Sequence, residues 1–174
     1  MAKKKQPEAY IDFEIYKDAV DLLGIAQVTL PDVAFLTQQI TGAGIAGNVD
    51  AVLTGMVEAM TLGIKFRSVT DSATKLMAPV AHNLDIRVAE QYWETVGAKK
   101  EVQADKYVVV CVPKSTKPGT VAPAAAADTS GEYSVYYYAG YKDGKTLWEI
   151  DPFNYKCVVD GIDYMADVRK ALGK

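Results

Sequence analysis

Histidine and cysteine are scarce in this sequence. One histidine, His82, and two cysteines, Cys111 and Cys157, occur in 174 residues. That set cannot supply a zinc site of the usual ligand spacing. No G-x-S-x-G turn and no Cys-His signature is present, which leaves nucleophilic catalysis without a motif. His82, between Ala81 and Asn83, is read as a surface or turn residue. Both cysteines lie among β-formers, so each is expected as a reduced thiol packed like a small hydrophobe. No run reaches the roughly 18 apolar residues of a membrane helix. The longest uncharged stretch, residues 33–49, is broken by Gln38, Gln39, Thr41 and three glycines. Behind the basic start Lys3–Lys5 there is no apolar segment of a secretory signal, so folding in a cytoplasm is expected. Excess positive charge is missing too. Nineteen basic and 22 acidic side chains give a net charge of -3 and a pI near 5.2, the opposite of a domain that grips nucleic acid.

What the chain does have is 49% hydrophobic and 24% charged residues, the proportions of an ordinary globular domain. Its length suits a tail over residues 1–9 and one domain over 10–174. Residues 10–17 alternate: Ile11, Phe13 and Ile15 point one way, Asp12 and Glu14 the other, as in a half-buried strand. Asp12, Glu14 and Asp18 are accordingly a solvent face and not paired catalytic carboxylates. Residues 22–30 read as the hairpin partner of that strand across a turn at Asp18–Asp21, closed by Pro31. Residues 33–40 read as extended and 42–47 as a loop. Within 57–69, Met60, Leu62, Ile64 and Phe66 share one face. Residues 71–78 read as a short helix capped by Asp71 or Ser72 and stopped by Pro79.

A strand over 83–96 loses its phase near Ala89 and Glu90, which suggests a bulge or an exit from the sheet. Residues 100–112 become continuously apolar from Tyr107, as in a strand covered on both faces. Residues 113–131, with three prolines, a run of four alanines and no period, read as an exposed insertion loop. A strand over 132–141 carries Tyr133, Tyr136, Tyr137, Tyr138 and Tyr141. Such rings fill a β-core or an oligomer interface more readily than they stack on bases. Asp143-Gly144 and Asp160-Gly161 are turn signals between strands over 146–150 and 153–159 and the C-terminus. Residues 162–172 switch to helical spacing through Ile162, Met165, Val168 and Leu172. About eight strands and two helices follow from these periods, without βαβ alternation. The fold class is mainly β (α+β): an antiparallel sandwich or barrel with a short helix near 71–78 and a C-terminal helix over 162–172.

Gly42-Ala-Gly-Ile-Ala-Gly47 matches G-x-G-x-x-G, and Val49, Val52, Leu53, Met56, Val57 and Met60 follow it at helical spacing. The alternative function this offers is a small nucleotide-binding oxidoreductase. Its context is poor. Leu36–Thr41 is too polar for a central parallel strand, Gly55 weakens a helix, and Lys65 and Arg67 occupy the region where an acidic strand end belongs.

Three segments taken together point elsewhere. They are Leu22–Gly47, with Leu-Leu-Gly-Ile-Ala-Gln-Val-Thr-Leu-Pro and the glycine loop; Asp50–Phe66, with Asp-Ala-Val-Leu-Thr-Gly and Leu-Gly-Ile-Lys-Phe; and Asp143–Leu172, with Asp-Gly-Lys, Trp-Glu-Ile-Asp, Asn-Tyr-Lys and Val-Asp-Gly-Ile-Asp. In this order they resemble the first hairpin and loop, the following strand, and the last hairpin, turn and helix of the major tail tube protein family of contractile-tailed bacteriophages, which also serves R-type bacteriocins (tailocins). Asp160 stands where the family's turn carries asparagine, and residues 113–131 depart from the pattern.

The resemblance implies a structural subunit that is not an enzyme and needs no cofactor or metal. Six copies would close into a ring, and rings would stack into the hollow inner tube of a virion tail or tailocin, assembled in the host cytoplasm. The implied partners are other copies, the tail sheath, tape-measure, baseplate and tail-terminator proteins, and double-stranded DNA sliding through the lumen, with no membrane. The long loop of the family maps onto residues 40–56. It makes Thr41, Gly42, Gly44, Ile45, Gly47, Asn48 and Asp50 the candidate inter-subunit or inter-ring residues. Lys65 and Arg67 would pair with acids such as Asp85.

Overall fold

The computed structural model describes residues 5–24 and 27–174. Residues 1–4 of the expected tail, and Ile25 and Ala26 of the expected second strand, lie outside the described residues. The elements are β1 (Lys5–Lys17), β2 (Asp21–Leu23), β3 (Gln27–Thr29), β4 (Phe35–Ile40), β5 (Val49–Val57), β6 (Met60–Phe66), α1 (Asp71–Leu76), β7 (His82–Glu94), β8 (Lys99–Lys117), β9 (Thr129–Lys142), β10 (Lys145–Asp151), β11 (Lys156–Val159), β12 (Ile162–Asp163) and α2 (Ala166–Ala171). All pairings between them are antiparallel. The main sheet runs β12-β11-β10-β9-β8-β7-β1-β2 and stays open, while β4 and β5 form a separate two-stranded sheet.

The sheet forks at β9. One edge of β9 pairs with β8 along most of its length; the other is shared between β6 (over Thr129–Val135) and β10 (over Tyr138–Lys142). Between these two stretches Tyr136 is the extra residue of a register shift, and a bulge of that kind sharpens the local twist. The core fills the fold so made. Met60, Leu62, Ile64 and Phe66 are all buried, and they pack with Ile15, Leu84, Ile86, Val109, Cys111, Tyr133 and Tyr138. From above, α1 adds Ala73 and Leu76. Its cap is Thr70, whose Oγ1 accepts from the Ala73 N–H at 3.1 Å, and not Asp71 or Ser72. Both thiols are free and buried.

Several segments differ from the sequence reading. Strand β1 begins at Lys5, inside the expected tail. Residues 22–30 divide between two partners: Asp21–Leu23 pair with β1, and Gln27–Thr29 cross to β6. Strand β7 has no bulge; the extra residues sit on β1 opposite it, and the inner face of β7 runs on as Glu90, Tyr92 and Glu94. Residues 113–117 continue β8 and 129–131 open β9, so only 118–128 form the loop. Pro113 is tolerated because β7 ends opposite Cys111 and leaves β8 a free edge beyond it. The expected C-terminal helix shrinks to Ala166–Ala171, because Ile162 and Asp163 pair with β11. His82 is wholly buried, with Nε2 3.0 Å from the Ala78 carbonyl oxygen.

Candidate assembly surfaces

The glycine motif lies at the tip of an arm. Among the described residues, strands β4 and β5 pair only with each other, from Ile40↔Val49 near the tip to Phe35↔Val57 at the base. A lone two-stranded hairpin is marginal in water, and this one has little of the packing that supports strands elsewhere in the molecule. Phe35, Ile40, Ile45, Val49, Val52, Leu53 and Met56 are all substantially exposed along it. Thr41, Gly42, Gly44, Ile45, Gly47, Asn48 and Asp50 are brought together here, all exposed. A Cβ placed on Gly42, Gly44 or Gly47 would meet no atom of the same chain. Gly44 has φ +92°, a conformation that favours glycine, and the turn is held by the Ile45 N–H donating to the Gly42 carbonyl at 3.2 Å. Because the loop leads into a strand and not a helix, a pyrophosphate there would find no helix N-terminus.

Helical spacing after the motif has a different cause. Between the pairs Thr37↔Val52 and Phe35↔Val57, residues 53–56 of β5 stand opposite Leu36 alone, three more than regular pairing takes. Gly55 lies in that bulge at φ +71°, its Cα facing Met165 so closely that a Cβ would come within 2.5 Å of the Met165 side chain. Around it, the base of the arm and β11 border an open groove of about 370 Å³ lined by Phe35, Val52, Thr54, Cys157, Val159 and Tyr164. No lining residue is charged. Sequence reasoning missed this groove; the one trace of it was a lone glycine inside a strand pattern, which marks a bulge or a close approach.

The two kinds of strand edge are guarded differently. Among the described residues, β2 covers only Ile15–Lys17 of β1, so the outer edge from Lys5 to Glu14 is bare. Pro7, four charged side chains and two register shifts interrupt it, features that discourage another strand from adding there. The arm lacks such guards: β4 has no charge and no proline, and β5 has only Asp50.

At the far end of β1, β7 and β8 the inner face turns polar. Glu90 Oε2 accepts from the Tyr92 hydroxyl at 2.5 Å and from Lys142 Nζ at 2.8 Å, and Lys142 lies 3.7 Å from Asp105. Burial raises the Asp105 carboxyl above the usual range, and the neighbouring Glu90 raises it further. Burial pushes Glu90 the same way, but the donors Lys142 and Tyr92 outweigh it and hold Glu90 below its ordinary value. Beyond them Lys5 and Lys99 hold Glu101 down at about 2. Asp85 pairs with Arg87 at 3.2 Å and Lys106 at 3.0 Å, on its own and the adjoining strand, and not with Lys65 or Arg67 as expected.

The tyrosine strand supplies the core more than a surface. Tyr133 and Tyr138 are buried, which raises each phenol to about 12, and burial raises Tyr107 and Tyr137 further still. A folded-state value above the unfolded value of about 10 means that the folded chain keeps protons the unfolded chain releases. The stability these groups confer is therefore complete below about pH 10 and falls as pH rises through 12. Absorbance at 295 nm should show these four of the eleven tyrosines titrating only together with loss of the β circular-dichroism signal. One wave near pH 10 with the fold intact would contradict their burial.

Among the described residues these surfaces are an open sheet, an exposed arm and an uncharged groove. The sequence model of phage tail tube protein FII matches residues 7–173, almost the whole chain. The chain belongs to the phage tail tube protein FII family. No curated protein matches it. Phage tail tube proteins are structural, non-enzymatic parts of the virion tail that assemble with copies of themselves and with other tail components. That identity gives the exposed arm of this tail tube protein a context, since a protein made to assemble must leave its contact surfaces uncovered in the protomer.

Proposed function

We propose that this chain is the inner-tube subunit of a contractile tail: six copies close into a ring, rings stack, and the arm residues Thr41, Gly42, Gly44, Ile45, Gly47, Asn48 and Asp50 join copies. The tube surrounds double-stranded DNA during ejection from a phage, or an empty lumen in a tailocin. Its outer face meets the sheath, its lumen holds the tape-measure protein during assembly, and its ends meet baseplate and tail-terminator proteins.

The observation that carries this reading is the arm: a hairpin with both edges free, seven large exposed apolar side chains and an uncharged glycine tip. Contacts around a rotation axis close a ring, whereas contacts along it repeat without closing and grow a filament. The acidic balance supports the DNA path, because a basic wall would bind the duplex, with its charge every ~1.7 Å, and brake it.

Concentrated purified protein should yield pelletable material that negative stain resolves as hollow filaments with six-fold end views. Protein that stays monomeric at every concentration and salt tested would overturn the reading.

A further inference from the structure

We propose that Glu90 and Asp105 form a proton-binding pair: in the folded protein the pair holds one proton, on Asp105, and losing it loosens the far end of the β7–β8 hairpin. The proposal concerns the protomer and is independent of how copies assemble.

The charge count at that end of the inner face carries it. Glu90 and Asp105 are 8% and 4% exposed and lie within hydrogen-bonding reach of each other. One ammonium serves both. Lys142 Nζ stands 2.8 Å from Glu90 but 3.7 Å from Asp105, and the Tyr92 hydroxyl also goes to Glu90. Every other cation nearby is committed. Lys5 and Lys99 pair with Glu101, and Lys99 also lies 3.5 Å from Glu94, so that row is balanced within itself. Arg87 and Lys106 hold Asp85. Lys145, opposite Lys142 on β10, pairs with Asp160 at 2.6 Å. The remaining neighbours bring no positive charge. Tyr10 on β1 and Gln103 on β8 stand opposite Glu90, Val88 stands opposite Asp105, and Asp143 at the adjoining turn is one more acid. Two ionised carboxylates would therefore leave one buried negative charge uncompensated.

Asp105 Oδ1 shows which member carries the proton. It is buried and has no hydrogen-bond partner among the described residues. On a carboxylate, that oxygen would lose its hydration without return. On a protonated carboxyl it is a neutral carbonyl, and the hydroxyl can donate to Glu90. Two carboxyls sharing one site split in this way, one raised and the other not. The upward shift of Asp105 and the downward shift of Glu90 agree with that assignment.

The signs of the two groups differ. A carboxyl raised in the fold adds stability that is complete at acid pH and is lost as pH rises through its folded value. For Asp105 that loss falls above the ordinary carboxylate range near pH 4. A carboxyl held low, as Glu90 is, adds stability that is lost as pH falls through its own folded value. The hairpin end is thus tightest in mildly acid solution, with Glu90 charged and Asp105 neutral, and it loosens as pH rises.

Asp105→Asn tests the pair, because the amide keeps a donor for Glu90 and never ionises. Relative to wild type, its melting temperature should rise by about 2–4 °C between pH 4 and pH 8. A gap that stays constant or narrows overturns the proposal. Carbon-13 titration of wild-type aspartate carboxyls reads the proton directly. The one signal missing from the variant should titrate above the ordinary range, and a midpoint at or below that range overturns the proposal. In Glu90→Gln the same signal should move down, since Asp105 then has Lys142 to itself. Hydrogen exchange locates the effect. Corrected for intrinsic rates, amides at 90–94 and 101–105 should exchange about tenfold faster at pH 8 than at pH 5 in wild type and equally in Asp105→Asn. Equal acceleration in both proteins would mean that the proton on Asp105 does not hold the hairpin end.

Discussion

Alanine at Gly140 is expected to lower the melting temperature of the protomer by roughly 10 °C. Gly140 is buried in β9, opposite Tyr107 on β8 and Trp148 on β10. The Trp148 indole lies across it, and a Cβ there would come within 2.6 Å of the ring. A glycine covered by a cross-strand aromatic trades a side chain for the area of the ring. The half-buried indole is held in place by Tyr107, which stacks on it with centroids 6.0 Å apart, and by Tyr138, which meets it edge-on at 5.4 Å. Overpacking of a rigid core costs about 1–3 kcal/mol, and the upper end applies where every neighbour is a ring. In a chain of this size each kcal/mol moves the midpoint by about 2–4 °C. Gly47→Ala is the matched control. Its Cβ would meet open space at a residue without positive φ, and the midpoint should stay within about 2 °C. Thermal melts followed by tryptophan fluorescence decide the matter; equal midpoints for the two variants would mean that Trp148 does not cover Gly140.

An aspartate inserted between Gly44 and Ile45 is expected to abolish filament growth while leaving the melting temperature of the protomer almost unchanged. Within the chain a Cβ on Gly42, Gly44 or Gly47 would meet open space, so the insertion chiefly removes the exposed turn bond from Ile45 to Gly42. Between copies the effect is large. A carboxylate added at the tip, where residues 41–49 bear no charge, loses its hydration without gaining a partner once the tip is buried. If the penalty is only about 3 kcal/mol per contact, the concentration needed for growth rises over 100-fold. Sedimentation of variant and wild type across a concentration series measures this. Unchanged filament yield would remove residues 41–50 from any role between copies.

The parts of the fold legible from sequence are those where one local rule decides. Met60, Leu62, Ile64 and Phe66 alternate because one side of β6 meets the core and the other does not. Asp143-Gly144 and Asp160-Gly161 adopt positive φ at both positions, as the turn signal requires. What escaped depends on residues distant in the chain. The inner face of β7 carries Glu90 because Lys142, 52 residues on, compensates its charge. Ile162 and Met165 keep helical spacing although one is paired in β12 and the other only leads into α2; Asp163 ends the strand by accepting from the Met165 N–H and binding Arg169. In β5 the bulge at residues 53–56 produced spacing that resembled a helix.

For the candidate site, the glycine tip was legible as a loop, and the family resemblance singled out its residues. Its setting was not. Pairing of β4 with β5 alone, and the groove at their base, arise where β11 and α2 return to residue 55 from more than 100 positions away, which no local pattern encodes.

A helical reconstruction of filaments grown from the purified protein tests the central claim most directly. The density should show a hollow tube in which the segment 41–50 of every subunit is ordered and buried against a neighbouring copy. A filament whose arms project free into solvent, with the subunits joined through other surfaces, would contradict it.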